Sequence, residues 1–350
     1  MDNPNEFHIQ IASSVDEVGI PTWDALSTNR PFQSARWYAY GQQVLEGCQP
    51  IYIILTKDNQ PVARGTFWLV RDEPLPVPPL LRSWFKPILN HWPLLLCRSP
   101  LSNSSGLILP ESYLRDPALK IIVEEAIKEA KRYHCSFLLF DFLAEADAHF
   151  PGWPEGFVDM NAGDPGTKMN SEWDSFDTYL ASRDKKNQRR YAYNTKKAIE
   201  LSVQVSRCSS AQNIEEALAL IHLVEDKYRS PRNPWTRGML KNMQMVESTF
   251  LEARIGPQLV GCELILYDNK AQLPTALGHT EAASYSYLEM LYTNLRDAME
   301  RKCHLLRWGS GSYDIKRHLG FELEDNNTVV FSGTAWVFQI LTRLFTLLRR

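Results

Sequence analysis

The chain lacks most of the features that identify a protein at a glance. Its six cysteines, at 48, 97, 135, 208, 262 and 303, include no C-x-x-C pair, which excludes a zinc ribbon and a dithiol redox motif. No metal site is expected. Each cysteine sits in apolar sequence, as in Leu96-Cys97, Cys135-Ser-Phe-Leu-Leu and Gly261-Cys262. Reduced, buried thiols of a cytosolic protein are therefore expected. No run of about 18 apolar residues occurs, so no segment is a candidate to cross a bilayer. The opening Met1-Asp-Asn-Pro-Asn-Glu6 has no basic and no apolar stretch, and no secretory signal is expected. An excess of charge is missing too. The 38 Lys+Arg against 41 Asp+Glu give a net charge of −3, unlike the strongly basic footprint of a dedicated nucleic-acid binder. DNA is not an expected partner.

What is present is a globular composition, with 44% apolar and 23% charged residues in 350, enough for two domains with real cores. Gln49 to Thr56 and Val62 to Val70 are β-branched and aromatic runs around a Lys57-Asp-Asn-Gln60 turn, which predicts a hairpin. Within Pro110 to Tyr133, apolar Leu119, Ile122, Val123, Ala126, Ile127 and Ala130 fall at helical spacing. The apolar strand Cys135 to Phe142 follows. The second half repeats this order: strands Thr249 to Arg254 and Leu259 to Tyr267, a strand Ala271 to Thr280, a helix from about Ser286 to Arg301, and a strand Cys303 to Trp308. Val62-Ala-Arg-Gly65 corresponds to Val260-Gly-Cys-Glu263. Two copies of one unit are inferred. The first copy carries an insertion, Arg71 to Cys97, whose six prolines are incompatible with a regular helix or a central strand.

Between the copies, Pro151 to Met169 reads as a connection. It leads to a short helix start at Asp174 to Leu180 and then to Arg183–Lys197, which holds seven basic residues and one acid, interleaved with Tyr191 and Tyr193. Such a run is either a solvated helix face or a phosphate-binding one. Trp308 to Glu322 (WGSGSYDIKRHLGFE) reads as strand end, glycine turn, short helix Tyr313 to His318, glycine cap at Gly320 and a new strand at Phe321. The glycine turn is either a structural turn or a place for an anion at a helix start.

Here the sequence resembles the GNAT acyltransferase superfamily. Leu319-Gly320-Phe321-Glu322 is similar to its final helix-to-strand signature. Gly309-x-Gly311-x-Tyr313-x-x-Lys316-x-x-x-Gly320 resembles the tandem-GNAT, FemAB-like branch. Trp23-Asp-Ala-Leu26, Pro31 to Trp37, Asp174 to Leu180, and Ile214 to Tyr228 with the following PRNPW resemble further family elements in the family's order. The likeness covers about residues 7 to 333. It implies an α/β (α+β) fold of two tandem GNAT-like domains, each a mixed, mostly antiparallel sheet flanked by helices. The expected divisions are 1–165 with the 71–97 insertion, a catalytic domain over 166–333, and an amphipathic helix over 334–350.

The resemblance implies transfer of an acyl group from a thioester to an amine. That reaction needs a base for the amine, donors for the oxyanion, and groups that hold the departing thiolate and the donor's phosphates. His279 and Glu263 are the base candidates, each with a structural alternative: a hydrogen-bonded histidine, or a strand face open to water. Lys316 and Tyr313 are candidates for the thiolate. Arg189, Arg190, Gly309 and Gly311 are candidates for the donor's phosphates. No covalently bound cofactor is expected; acyl-CoA or an acyl-carrier protein is the co-substrate. One departure stands out. The loop before the helix at Ser286, Glu281-Ala-Ala-Ser-Tyr-Ser-Tyr287, has no glycine, where the family pattern wraps a pyrophosphate with glycines.

The expected acceptor is an amine or peptide. A medium- or long-chain fatty acyl group is the expected cargo, given the apolar, proline-broken 79–96 and the amphipathic tail 335–350, which docks on the protein itself or on a membrane surface. A cytoplasmic protein, membrane-associated if the tail so docks, is expected. Two other functions stay open: a non-catalytic GNAT-fold binding module, and an aminoacyl-tRNA-dependent Fem-type ligase, against which the low basic charge counts.

Overall fold

The computed structural model describes residues 7–73, 87–161, 164–280 and 284–349. The chain divides into two compact units, one of Met1–Pro165 with Asp325–Arg350 and one of Gly166–Glu324.

The first unit begins with β1 (His8–Ala12), α1 (Val15–Val18), α2 (Ile20–Ser27) and α3 (Ala35–Val44). It continues through β2 (Gln49–Lys57), β3 (Gln60–Val70), β4 (Leu94–Cys97), β5 (Leu107–Ile108), α4 (Arg115–Arg132), β6 (Phe137–Leu143), α5 (Glu145–Ala148) and β7 (Val158–Asn161). The second unit starts with β8 (Thr167–Asn170), α6 (Phe176–Ser182), α7 (Lys185–Glu200), β9 (Val203–Cys208), α8 (Ile214–Lys227) and α9 (Thr236–Asn242). It continues with β10 (Glu247–Ile255), β11 (Gln258–Asp268), β12 (Ala271–His279), α10 (Ser284–Glu300), β13 (Leu305–Arg307), α11 (Tyr313–Leu319) and β14 (Glu322–Leu323). The chain then returns to the first unit with β15 (Thr328–Gly333) and α12 (Trp336–Arg349).

Local chemistry explains most of these elements. Asp58 and Asn59 have φ of +51° and +60°, and Asn269 and Lys270 have +46° and +58°. These are two-residue turns with both central φ positive, the form that matches the twist of a hairpin. Ser175 and Thr178 close a capping box at the start of α6, and the Asp184 carboxylate accepts from Asn187 N at 2.7 Å at the start of α7. Helix α4 buries Leu119, Ile122, Val123, Ala126 and Ala130, the stripe its spacing predicts.

The two sheets have matching orders, β1-β2-β3-β4-β6-β15-β7 and β9-β10-β11-β12-β13-β8-β14. Each is antiparallel except for one central parallel pair, β4 with β6 and β12 with β13. In each, one long helix, α4 or α10, connects the fourth strand back to the fifth.

Three expectations need correction. The insertion ends in a central strand: Leu94–Cys97 lies between β3 and β6 with all four side chains buried. Its last proline, Pro93, precedes the ladder, so no ladder hydrogen bond is lost. The same segment also forms a helical turn at 87–91, with Pro87 at its start, where a proline is tolerated; residues 74–86 lie outside the described residues. Second, residues 325–333 belong to the first unit, because β15 pairs antiparallel with both β6 and β7. The corresponding slot beside β13 is filled by β8, antiparallel to it. Third, all six cysteines are free, but Cys48 and Cys208 are half-exposed rather than buried.

Candidate active site

The second sheet opens at its parallel pair. β12 runs for nine residues, yet it registers with β13 only at Ala271↔Leu305 and Gln272↔Leu306. Beyond Gln272 the β13-facing N–H groups of β12 have no registered strand partner there, which makes them donors available to a ligand. On its other side β12 is bulged. Cys262 pairs with Gly278 and Leu264 with Thr275, so Ala276 and Leu277 both face Glu263. Ala276 takes φ +49°, the left-handed kink of a bulged strand, a device common beside active sites.

Glu263 lies opposite this bulge and is only 4% exposed, so the water-facing alternative does not apply. Its Oε2 accepts from Asn294 Nδ2 of α10 at 2.9 Å. Burial raises its carboxyl from the ordinary 4.5 to about 7; the Asn294 hydrogen bond and the Lys316 charge oppose that rise. A carboxylate poised there can accept a proton at neutral pH. Asn294 is fully buried, and its Oδ1 has no hydrogen-bond partner among the described residues.

Lys316 of α11 is also buried, and burial lowers its ammonium from 10.5 to about 8 against the pull of Glu263. Its Nζ donates to Trp308 O, to Gly309 O at 3.1 Å and to Ser310 O at 3.2 Å. Three N–H donors meet three carbonyls, the full complement of an ammonium. The lysine expected to face a thiolate therefore holds the glycine loop. Gly309, Gly311 and Ser312 have φ of +60°, +81° and +49°, so the loop winds left-handed and turns three carbonyls onto a cation. A phosphate cradle would present N–H donors instead.

His279 ends β12, and its ring stacks on Tyr287 of α10 at 5.2 Å between centroids. The Tyr287 phenol is pushed up to about 12, first by burial, while a hydrogen bond with Ser312 opposes the rise and the Glu263 charge adds to it. Tyr287 thus ties β12, α10 and the glycine loop together and stands close to Glu263. Tyr313, one turn before Lys316, is half-buried. Arg189 and Arg190 are exposed on α7. Arg190 borders a separate crevice walled by α6, α7, α10 and α11, with Arg183, Tyr179 and His318 among its lining.

The structure brings Glu263, Lys316 and His279 around Tyr287. Tyr287, Asn294 and Ser312 were not legible as site residues in the sequence. Asn294 lies two turns along α10 from Tyr287, so their helical spacing was a usable signal. Of the glycine-poor loop, Glu281–Ala283 lies outside the described residues.

No family model matches the sequence, and no curated protein sequence is significantly similar to it. Solved structures are. FemX superposes with a TM-score of 0.62 at 10% identity, covering 96% of this chain and all of that one. A tandem GNAT protein from the clavulanic acid biosynthesis pathway gives 0.58 at 12% identity, covering 94% and 99%. The C-terminal domain of a putative lysylphosphatidylglycerol synthetase from Agrobacterium fabrum gives 0.53 at 8% identity, covering 95% and 97%. Likeness at such identities concerns the fold, over nearly the whole length of each partner. The two matching sheets, each with a single parallel pair and one long connecting helix, have the tandem-GNAT, FemAB-like fold.

Proposed function

We propose that the second unit is an N-acyltransferase that moves an acyl group from a thioester to an amine, with Glu263 as the base. The observation that carries this reading is the buried carboxyl of Glu263, raised to about 7, opposite a bulge on the strand that parts from β13.

The amine nitrogen attacks the thioester carbonyl carbon. Glu263 takes the proton lost by the nitrogen, directly or through a water. N–H groups of β12 beyond Gln272 hold the developing oxyanion. The new C–N bond forms, the C–S bond breaks, and the thiolate leaves and takes up a proton. Lys316 acts as a positioning residue: it fixes the 308–310 carbonyls and its charge favours ionised Glu263. His279 and Tyr287 form the adjoining wall, and Tyr313 remains a candidate for the leaving thiolate. The donor is acyl-CoA or an acyl-carrier protein, with a medium- or long-chain fatty acyl group. Arg189 and Arg190, exposed on α7, are the proposed contacts for the donor's phosphates.

A specific observation keeps an aminoacyl-tRNA donor as the second reading. Lys185, Lys186, Arg189 and Arg190 crowd the exposed face of α7 with no ion pair among the described residues, an arrangement suited to phosphates.

The test follows free thiol with a panel of acyl-CoA and acyl-carrier donors and mixed amine acceptors. Thiol release that depends on acceptor and disappears in Glu263→Gln supports the assignment. No release with any donor, or ribonuclease-sensitive transfer, moves it to the second reading or beyond.

A further inference from the structure

Among its described side chains, α12 turns Phe338 and Thr342 toward the first sheet and leaves large apolar residues in water. Trp336, Val337, Ile340 and Leu341 are exposed, Trp336 to 73%. The polar Thr342 is buried, where its hydroxyl accepts from Gly333 N at 3.1 Å and donates to Phe338 O at 3.0 Å. A helix that only docks on its own domain covers its large apolar side chains. A helical turn at 87–91 extends the patch: Ile88 and Trp92 are exposed, and the Trp92 ring meets Phe338 edge-on at 5.9 Å. Phe338 packs in turn on Phe137 of β6 at 5.2 Å, which fixes the patch to the first sheet. Large exposed apolar side chains concentrated on two neighbouring segments go beyond the single scatter normal for a monomer.

Charge distinguishes what covers this patch. The chain as a whole is acidic, yet residues 74–110 and 326–350 contain no Asp or Glu. Arg343 is exposed beside the apolar residues of α12. Two tryptophans and a basic residue on segments that themselves carry no acid suit the headgroup layer of an anionic bilayer, where an amphipathic helix lies flat. A contact between two copies of the chain would gain no ion pair from these two segments, since neither carries an acid.

We propose that α12 and the 87–92 segment form a docking surface for an anionic lipid bilayer. The proposal does not depend on the acyl-transfer reading, and its test uses no activity. The full chain is sedimented with phosphatidylcholine vesicles made with or without phosphatidylglycerol. Binding to the phosphatidylglycerol vesicles, weaker at high salt, is expected. The double variant Trp336→Asp, Ile340→Asp should bind roughly tenfold or more weakly with an unchanged Tm, because both side chains already face water. Should that variant fold poorly, Arg343→Glu serves instead and should weaken binding only where phosphatidylglycerol is present. Wild-type chain left in the supernatant with both vesicles overturns the proposal. So does wild-type binding by both variants, or a concentration-dependent dimer that the double variant abolishes.

Discussion

The two units place different residues at one equivalent position. Gly65 of β3 and Glu263 of β11 both face the long helix that links the fourth and fifth strands. Their preceding neighbours point to the opposite face in each unit. Arg64 lies over Trp23 at 4.0 Å and donates to Gln33 Oε1 at 2.8 Å, and Cys262 Sγ lies 3.7 Å from Ala217 O of α8. At Gly65 a Cβ would come within 2.6 Å of Ile122 Cγ2 and 2.8 Å of Phe67, so α4 is packed hard against the strand. At Glu263 the helix presents Asn294 instead. The parallel pairs differ as well: β4 and β6 register at four positions, β12 and β13 at two. One architecture is thus closed for packing in the first unit and opened around a carboxyl in the second. This contrast is the reason the proposed chemistry lies in the second unit.

The largest effect should come from Glu263→Gln. If the comparison holds, turnover falls by about 10²–10⁴-fold in the thiol-release assay. The same variant should be more stable than the parent at pH 8. A carboxyl raised in the folded state from 4.5 to about 7 binds its proton more tightly there than in the unfolded chain. Its stabilising contribution is therefore complete below 4.5 and lost as pH rises to about 7. The Tm gap between variant and parent should open across that window, and a gap independent of pH would remove Glu263 from the buried site.

Gly320→Val comes next. Gly320 has φ +100°, and a Cβ there would lie 2.7 Å from the Arg183 guanidinium. A loss of about 3 kcal/mol is expected in urea unfolding, and unchanged stability would show that the cap after α11 is not needed. Gly65→Ala should then cost about 2 kcal/mol, whereas Glu263→Ala should cost little or stabilise. Equal costs would erase the contrast between the units. The smallest effect is a pH shift. Lys316 favours ionised Glu263, so Lys316→Met should move the acid limb of kcat/KM to higher pH. An unmoved limb would mean that another group supplies it.

Much of the fold was legible. The hairpins at 58–59 and 269–270, the α4 stripe and the glycine cap at Gly320 follow from short-range pattern, and the pairing of Gly65 with Glu263 was visible as a sequence repeat. Less of the site was. Glu263 and Lys316 could be named, but the choice between a buried and a solvated Glu263 depends on α10 covering the strand. The engagement of Lys316 with three carbonyls depends on how the 308–312 loop winds. Tyr287 and Asn294 look like ordinary members of an amphipathic helix until the strands beneath them are placed.

The sequence by itself determined the central hairpins, the long helices and their duplication, because turns, caps and periodicity act over a few residues and repeat wherever the pattern does. Only the tertiary structure decided that Leu94–Cys97 lies inside a sheet, that β15 closes the first unit, and that the Glu263 carboxyl is buried beneath α10. Strand partnership and desolvation are set by residues far apart along the chain, and no local pattern encodes which of them will meet.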